Sequence, residues 1–547
     1  MARKRHNPRM RNHRPVTALL PLAFAFLIAS CGGSSATPRH TATSGSSPSG
    51  STTSQPSATP DATPTPTPAP TPGPVAIVPV GDYRTVVVSV GPDDVAAILA
   101  GTSKTYHALE LVQADASAIE AALGIAAPAD STRLVLADSA ATLATDLPAH
   151  RDRLAFLRAS QVDASVHALA WQGKALFGVD RVRSLADWSL NVTLMPDAAD
   201  GGSDAAYDPS AAWTVFSGGD TMFDRNVYIQ ELKKRTDIDY AFKGGDVRIT
   251  GTKTANSPWG PHPVAKYKSL GGSGAVAHLM SGADLTLLNL EGPAPLHATP
   301  HISGPSTTMS FDQRLLPGMQ HAGVDWVSLA NNHILNAGAS GITQTEQALD
   351  ALGIAHSGAG ANSTGARQAS ILSAGGEKVA LLAYDNISVR GATSTRAGDA
   401  LLQANSFADD IATARAAGAN LVIVYCHWGV EYSAGVTATQ RKYAHELIDA
   451  GADVIIGMHP HVNGGMEIYN GKPIWYSLGN FVFDQWWWIQ PEKAISLELT
   501  FDGTRLVQAW MHPLLIVNYC QPSLVDASTA SVVMDQTYKA SGKLLPW

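Results

Sequence analysis

Cysteine is scarce in this 547-residue chain, with three in all: Cys31, Cys426 and Cys520. That is too few for a disulfide-built fold, and nothing in the sequence brings Cys426 to Cys520. An excess of basic charge is missing as well. The whole chain carries −8; its first thirty residues hold six bases and no acid, which leaves −14 on residues 31–547. A surface of that sign repels nucleic acid and acidic polymers in bulk, so no nucleic-acid partner is expected. Any anionic substrate must be held by local positive charge, and a bound metal is the obvious source. A long hydrophobic run is also lacking at the N-terminus, where the apolar stretch 18–29 is too short for a comfortable permanent span.

What is there reads as a targeting segment. Arg3, Lys4, Arg5, Arg9, Arg11 and Arg14 precede the apolar stretch, which ends Leu27-Ile28-Ala29-Ser30-Cys31. Residues 1–30 are therefore expected to be a signal peptide. The small residues before Cys31 look like a bacterial lipobox, so Cys31 is expected to carry lipid and to anchor the protein on the outer face of the cell membrane. Residues 31–74 are almost entirely Ser, Thr, Pro, Gly and Ala. They offer no apolar surface to offset the entropy of folding and are read as a spacer.

Beyond the spacer the chain alternates strand and helix signals, which predicts an α/β fold. Residues 75–209 form a first, smaller α/β region without a chemical motif, with strand-like runs at 85–90 and 133–137 and a helical pattern at 115–123. Asp200-Gly201-Gly202-Ser203-Asp204 is expected at its boundary. In the second region, 210–520, strands are read at 213–217, 285–290, 326–330, 379–384, 421–425, 454–456 and 474–477, and helices at 343–352, 407–416 and 439–450. Residues 521–547 are left as a C-terminal extension. Asn470-Gly471 and Asp502-Gly503 predict hairpins in a mixed sheet.

Five short segments place polar, metal-competent side chains just past a buried strand, which is where ligands bind in open α/β folds. They are Gly218-Gly219-Asp220, Asn289-Leu290-Glu291, Ala330-Asn331-Asn332-His333, His427-Trp428-Gly429 and His459-Pro460-His461. Pro460 removes His459 from helical geometry, so this last segment is expected to be extended, with both imidazoles on one side. Trp486-Trp487-Trp488 cannot all face one core in an extended chain, so at least one is expected to be exposed near the site or at an interface.

Together with Glu431-Tyr432 and Tyr476-Ser477-Leu478-Gly479-Asn480-Phe481-Val482-Phe483, these segments resemble the CapA-type poly-gamma-glutamate capsule biosynthesis family, a branch of the calcineurin-like metallophosphoesterases. They match its order and approximate spacing over residues 213–513. The resemblance implies an α/β/β/α sandwich of mixed sheets. It also implies that Asp220, Glu291, Asn332, His427, His459 and His461 ligate metal, Glu291 as the bridging carboxylate, and that His333 donates a proton. Arg225, Glu431 and Asn480 would meet substrate. Mixed nitrogen and oxygen donors suit one or two ions of Mn, Fe or Zn.

Two positions depart from the family. Met222 stands where a histidine usually follows the first aspartate, which puts one metal position in doubt, and Asn336 stands in place of an aspartate that would orient His333. The function expected from the resemblance is production of a capsular or related cell-surface polymer, with a metal-dependent hydrolase acting on a phosphoester or anionic polymer. The alternatives are a non-catalytic tethering or export component, or a gamma-glutamyl amide hydrolase or transferase. Capsule synthesis proteins are the expected partners.

Overall fold

Along Leu421–His427, Leu421, Ile423 and Tyr425 enter one apolar cluster while Val422, Val424 and Cys426 enter another. A strand with period-two side chains and both faces apolar must lie between two packed layers. Leu285–Leu290 does the same: Leu285 and Leu287 face inward, and Leu288 and Leu290 face a third cluster. These two strands belong to different sheets of one sandwich. In the computed structural model, residues 71–125, 130–195, 207–257, 260–302 and 307–545 are described. The signal segment, Cys31, most of the spacer and Asp200–Asp204 lie outside them.

The larger sheet runs Gly260–Gly271, Asp246–Ser257, Gln521–Val525, Arg505–Val517, Lys493–Asp502, Trp213–Thr221, Leu285–Leu290, Trp326–Ser328, Ala355–Ser357, and Asn480–Val482 pairs with Trp213–Thr221. The other runs Ser370–Ala374, Glu377–Asp385, Leu421–His427, Val454–Met458, Lys472–Trp475, Met466–Tyr469. Their inner faces share one core containing Val215, Leu287 and Leu499 from the first and Leu381, Ile423 and Ile456 from the second. Ser217 and Tyr425 join hydroxyls across it at 2.6 Å. Helices cover both outer faces: Gly338–Ala351 contributes Ile342 and Leu349 on one side, and Ala438–Asp449 contributes Ala444, Leu447 and Ile448 on the other. The layers are therefore α/β/β/α, with mixed sheets.

In the larger region the predicted strands and helices are present, with ends shifted by a few residues. Ala438–Asp449 begins where Thr437 Oγ1 accepts from the Gln440 amide and Gln440 Oε1 accepts from the Thr437 amide, a reciprocal cap. The Asn470-Gly471 turn has positive φ at both residues, 49° and 73°, and joins an antiparallel pair.

The smaller region has its own sheet, ordered Leu134–Ala137, Ala108–Val112, Arg153–Arg158, Gly73–Asp82, Val166–Ala168, with Asn191–Leu194 on Gly73–Asp82. Gly73 and Pro74, read as spacer, thus already pair with Leu194 and Thr193. The run at 85–90 is a strand only at Ser89–Val90; Val86 and Val88 are exposed beside a cavity of about 410 Å³ instead of packing in a sheet. This region is fixed to the larger sheet: Glu498 accepts from the Val179 amide, Thr500 Oγ1 from the Gly178 amide, and Arg505 donates to the Val162 carbonyl. Residues past 520 complete the fold, with Gln521–Val525 in the sheet and Val533, Met534 and Leu545 in the core. Cys426 and Cys520 are buried, free thiols. Among the described residues, no helix is long and apolar enough to cross a membrane.

Candidate metal centre

The site forms where parallel strands from both sheets end together. Leu285–Leu290 pairs in parallel with Trp213–Thr221 and Trp326–Ser328, and Leu421–His427 with Val454–Met458. Their C-terminal ends deliver Asp220, Glu291, the Asn331–His333 turn, His427 and the His459–His461 segment to one place. Gly219 makes the approach possible, because a Cβ there would collide with the Gly479 carbonyl oxygen of the segment leading into Asn480–Val482.

Two groups of ligand atoms result, each lying within 4.8 Å of one another: Glu291, His427 and His459 in one, and Asp220, Glu291 and His461 in the other. Glu291 belongs to both. Its carboxyl oxygens are buried and make no hydrogen bond, and the same holds for His459 Nδ1 and Asn289 Oδ1. Burial first, and then the Asp220 charge, push the Glu291 carboxyl well above its usual range. Burial and neighbouring histidines push His427 well below the ordinary imidazole value and His459 down to about 3. Uncharged imidazoles beside a buried carboxyl without donors are completed by a cation, which turns the desolvation cost into ligation. The residues therefore fit a divalent metal.

The His459-Pro460-His461 segment is not extended. His459 has φ of 94° and His461 of 57°, both left-handed, which costs on the order of 1–3 kcal/mol per residue. The strain is held by tertiary contacts: the His459 amide donates to Asp220 Oδ2 at 3.1 Å, and His461 Nδ1 lies 3.0 Å from Asn480 Oδ1. The double twist sends the rings to different groups instead of presenting them side by side, with centroids 6.1 Å apart.

Asn332 Oδ1 lies 2.9 Å from His427 Nε2, at the edge of the first group. His333 is 12% exposed, its Nε2 3.7 Å from Glu291 and its Nδ1 3.1 Å from Asn336 Oδ1; burial lowers it to about 4. Met222 is fully buried in the apolar cluster with Phe216, Phe481 and Phe483, where its sulfur accepts from the Asp224 amide at 2.8 Å.

Arg225 has φ of 52° and pairs with Asp484 at 2.8 Å, its guanidinium over the rings of Phe483 and Trp487. Glu431 is exposed, and its charge acts on Glu291. Asn480 is buried, its amide donating to Gln485 Oε1 and the Pro491 carbonyl, which makes it a positioning residue for His461. The three tryptophans are all half-buried, none fully exposed: Trp486 meets Tyr519, Trp487 meets Arg225 and Trp488 meets Tyr432. Sequence reasoning named Asn289 only within its motif and gave it no role, whereas its amide donates to Asp220 Oδ1 at 2.8 Å; it missed Asp484 altogether. An acid directly after the Phe481-Val482-Phe483 run was the available signal for Asp484.

This arrangement has known relatives. Bacterial capsule synthesis protein PGA_cap is the family matched by residues 214–485. The capsule biosynthesis protein CapA of Bacillus anthracis is 32% identical over 44% of this chain and 59% of its own length. The PGA biosynthesis protein CapA of Bacillus subtilis is 38% identical over 32% of this chain and 47% of its own. The chain thus spans about half the length of these relatives. Residues 214–485, which carry all of the ligand atoms above, belong to the PGA_cap family, whose fold is metallophosphoesterase-like.

Proposed function

We propose that this protein is a lipid-anchored component of capsule or cell-surface polymer production on the outer face of the membrane, and that its centre is a metal-dependent hydrolase site for an anionic polymer or phosphoester. The observation that carries the reading is the place of Glu291, buried without a donor between two ligand groups. A divalent ion of Mn, Fe or Zn held by Asp220, Glu291, Asn332, His427, His459 and His461 would supply Lewis acidity and lower the pKa of water towards ~7. His333, beside those ligands, exchanges a proton with the leaving group. Arg225, near the centre and balanced by Asp484, offers a cation to an anionic group in a chain of net negative charge. The relatives' names favour poly-gamma-glutamate and capsule synthesis proteins as polymer and partners.

A non-catalytic tethering or export role is the second reading. It is favoured by Met222 facing the core and by His333 being held neutral next to Asn336. Metal content and turnover of an alkyl phosphate, an aryl phosphate and poly-gamma-glutamate separate the two. The protein should hold about one or two ions per chain. His459→Ala with His461→Ala should lose most of them, and an unchanged content would sink the site. His333→Ala should keep the metal yet lose on the order of 10²-fold of alkyl phosphate turnover, with the aryl ester spared. Metal without turnover of any of the three by wild type would establish the tethering role. Fatty-acid labelling lost in Cys31→Ala checks the anchor.

A further inference from the structure

Acids outnumber bases 46 to 38 in the chain, yet residues 247–270 hold Arg248, Lys253, Lys266 and Lys268 and no acid at all. This stretch is an antiparallel hairpin, Asp246–Ser257 with Gly260–Gly271, at the edge of the larger sheet. Its register decides where the cations stand. Arg248 is directly opposite Lys268, Gly251 opposite Lys266, and Lys253 opposite Val264. An irregularity between Ile249 and Gly251 shifts the phase by one residue, so Arg248 and Lys253, five apart, share a face.

All four basic residues are exposed on that face. The opposite face buries Val247, Ile249 and Ala265 in the core between the sheets. Val264 is buried where the short helix Ile489–Glu492 packs on the edge strand.

Such a face is costly unless it meets anions. Residues directly opposite on antiparallel strands lie about 4.5–5.5 Å apart, and like charges there destabilise the pair. Arg248 and Lys268 are so placed. Asp526 pairs with Arg248 at 2.7 Å and Glu492 acts on Lys253, so part of the charge is offset. Lysines on a sheet edge can simply guard against edge-to-edge pairing. That explanation accounts for lysines at an open edge, but it does not require Arg248 and Lys268 to stand directly opposite each other.

The hairpin is also joined to the centre. Glu492 Oε2 accepts from the Ala265 amide at 2.7 Å, and its helix directly follows Trp487 and Trp488, which meet Arg225 and Tyr432.

We propose that the basic face of this hairpin is a docking surface for a linear polycarboxylate, which it holds for delivery to the metal centre. The cations recur about every 7 Å along the strands, suited to successive carboxylates of a flexible chain. The choice of polycarboxylate rests on the capsule-polymer reading above. Binding of this kind releases counterions and weakens steeply with salt.

The test uses the full chain in detergent and fluorescently labelled poly-gamma-glutamate, with polyphosphate as a second probe, at two salt concentrations. Lys253→Gln, Lys266→Gln and Lys268→Gln combined should weaken polyglutamate binding by at least about tenfold and lower its salt dependence. The corresponding triple Arg variant should bind as wild type does, and unchanged thermal unfolding of the Gln variant shows that the fold is kept. His459→Ala with His461→Ala should leave docking intact. Equal binding by wild type and the Gln variant overturns the surface while leaving the metal centre's role standing. Hairpin-dependent binding of polyphosphate but not of polyglutamate overturns the polycarboxylate assignment and counts against the capsule-polymer reading. Binding of neither probe overturns the surface, whatever the metal centre does.

Discussion

His333 Nδ1 lies 3.1 Å from Asn336 Oδ1, and the same oxygen accepts a hydrogen bond from the Met309 amide at 2.7 Å. The Nδ1–H therefore donates to a neutral amide, and Nε2 faces Glu291. Burial lowers His333 to about 4, opposed by that hydrogen bond and, more weakly, by the Asp220 charge, while the His461 and Arg225 charges reinforce the lowering. Asn336→Asp places a nearly isosteric carboxylate at the same point, where opposite charge favours the imidazolium. His333 should then titrate higher by about one pH unit or more, equivalent to at least ~1.4 kcal/mol in favour of the charged ring. A proton NMR titration of the His333 ring checks it, and an unmoved midpoint would falsify the pairing. If the protein is catalytic with His333 as proton donor, the alkaline limb of its rate profile should move up by a similar amount.

Met222 offers the converse test, since restoring the residue type usual in the family should not restore its role. Its side chain is fully buried in the layer that also holds Phe216, Phe481 and Phe483. Met222→His puts a polar ring into that layer and should cost roughly 1–3 kcal/mol of stability. Metal content should stay at the wild-type level. Denaturant unfolding with elemental analysis reads both quantities. A gain of about one ion per chain without loss of stability would mean that the side chain can reach the centre.

The strand ends that build the centre were legible in the sequence for a physical reason. Strands such as Leu421–His427 are buried on both faces, so they read as unbroken apolar runs, and the first polar residue after each run marks the end where a site can form. What stayed hidden depends on contacts between distant segments. The left-handed φ of His459 and His461 is held by Asp220 and Asn480, which local sequence cannot signal. Asn480 looked available to substrate because a buried amide and an exposed one read alike. The 85–90 run was apolar and β-branched yet mostly lies along a cavity wall. The roles of Gln521–Val525 and Ser531–Ser541 were likewise invisible, since nothing local says that a late strand inserts between two earlier ones.

The contact between the two regions should weaken in acid, and His167 is the reason. It lies on the wall of the 410 Å³ cavity, edge-on to Trp510 with centroids 5.0 Å apart; Trp510 in turn stacks on His512, whose Nε2 lies 2.6 Å from Glu498 Oε2. His167 Nε2 is buried and makes no hydrogen bond. Burial, reinforced by His512 and opposed by Glu498, lowers His167 to about 4. The unfolded imidazole titrates near 6.5, so between these values the unfolded chain binds the extra proton and the folded one does not. The contribution is complete above about pH 6.5 and is lost progressively as the pH falls towards 4, by on the order of 3 kcal/mol in total. His167→Phe keeps a ring against Trp510 but cannot titrate. Unfolding free energies at pH 7.5 and 4.5 should therefore differ less in His167→Phe than in wild type, by up to about 3 kcal/mol. The same acid loss in both proteins would place the titration elsewhere, and the cavity wall would then hold without regard to the charge on His167.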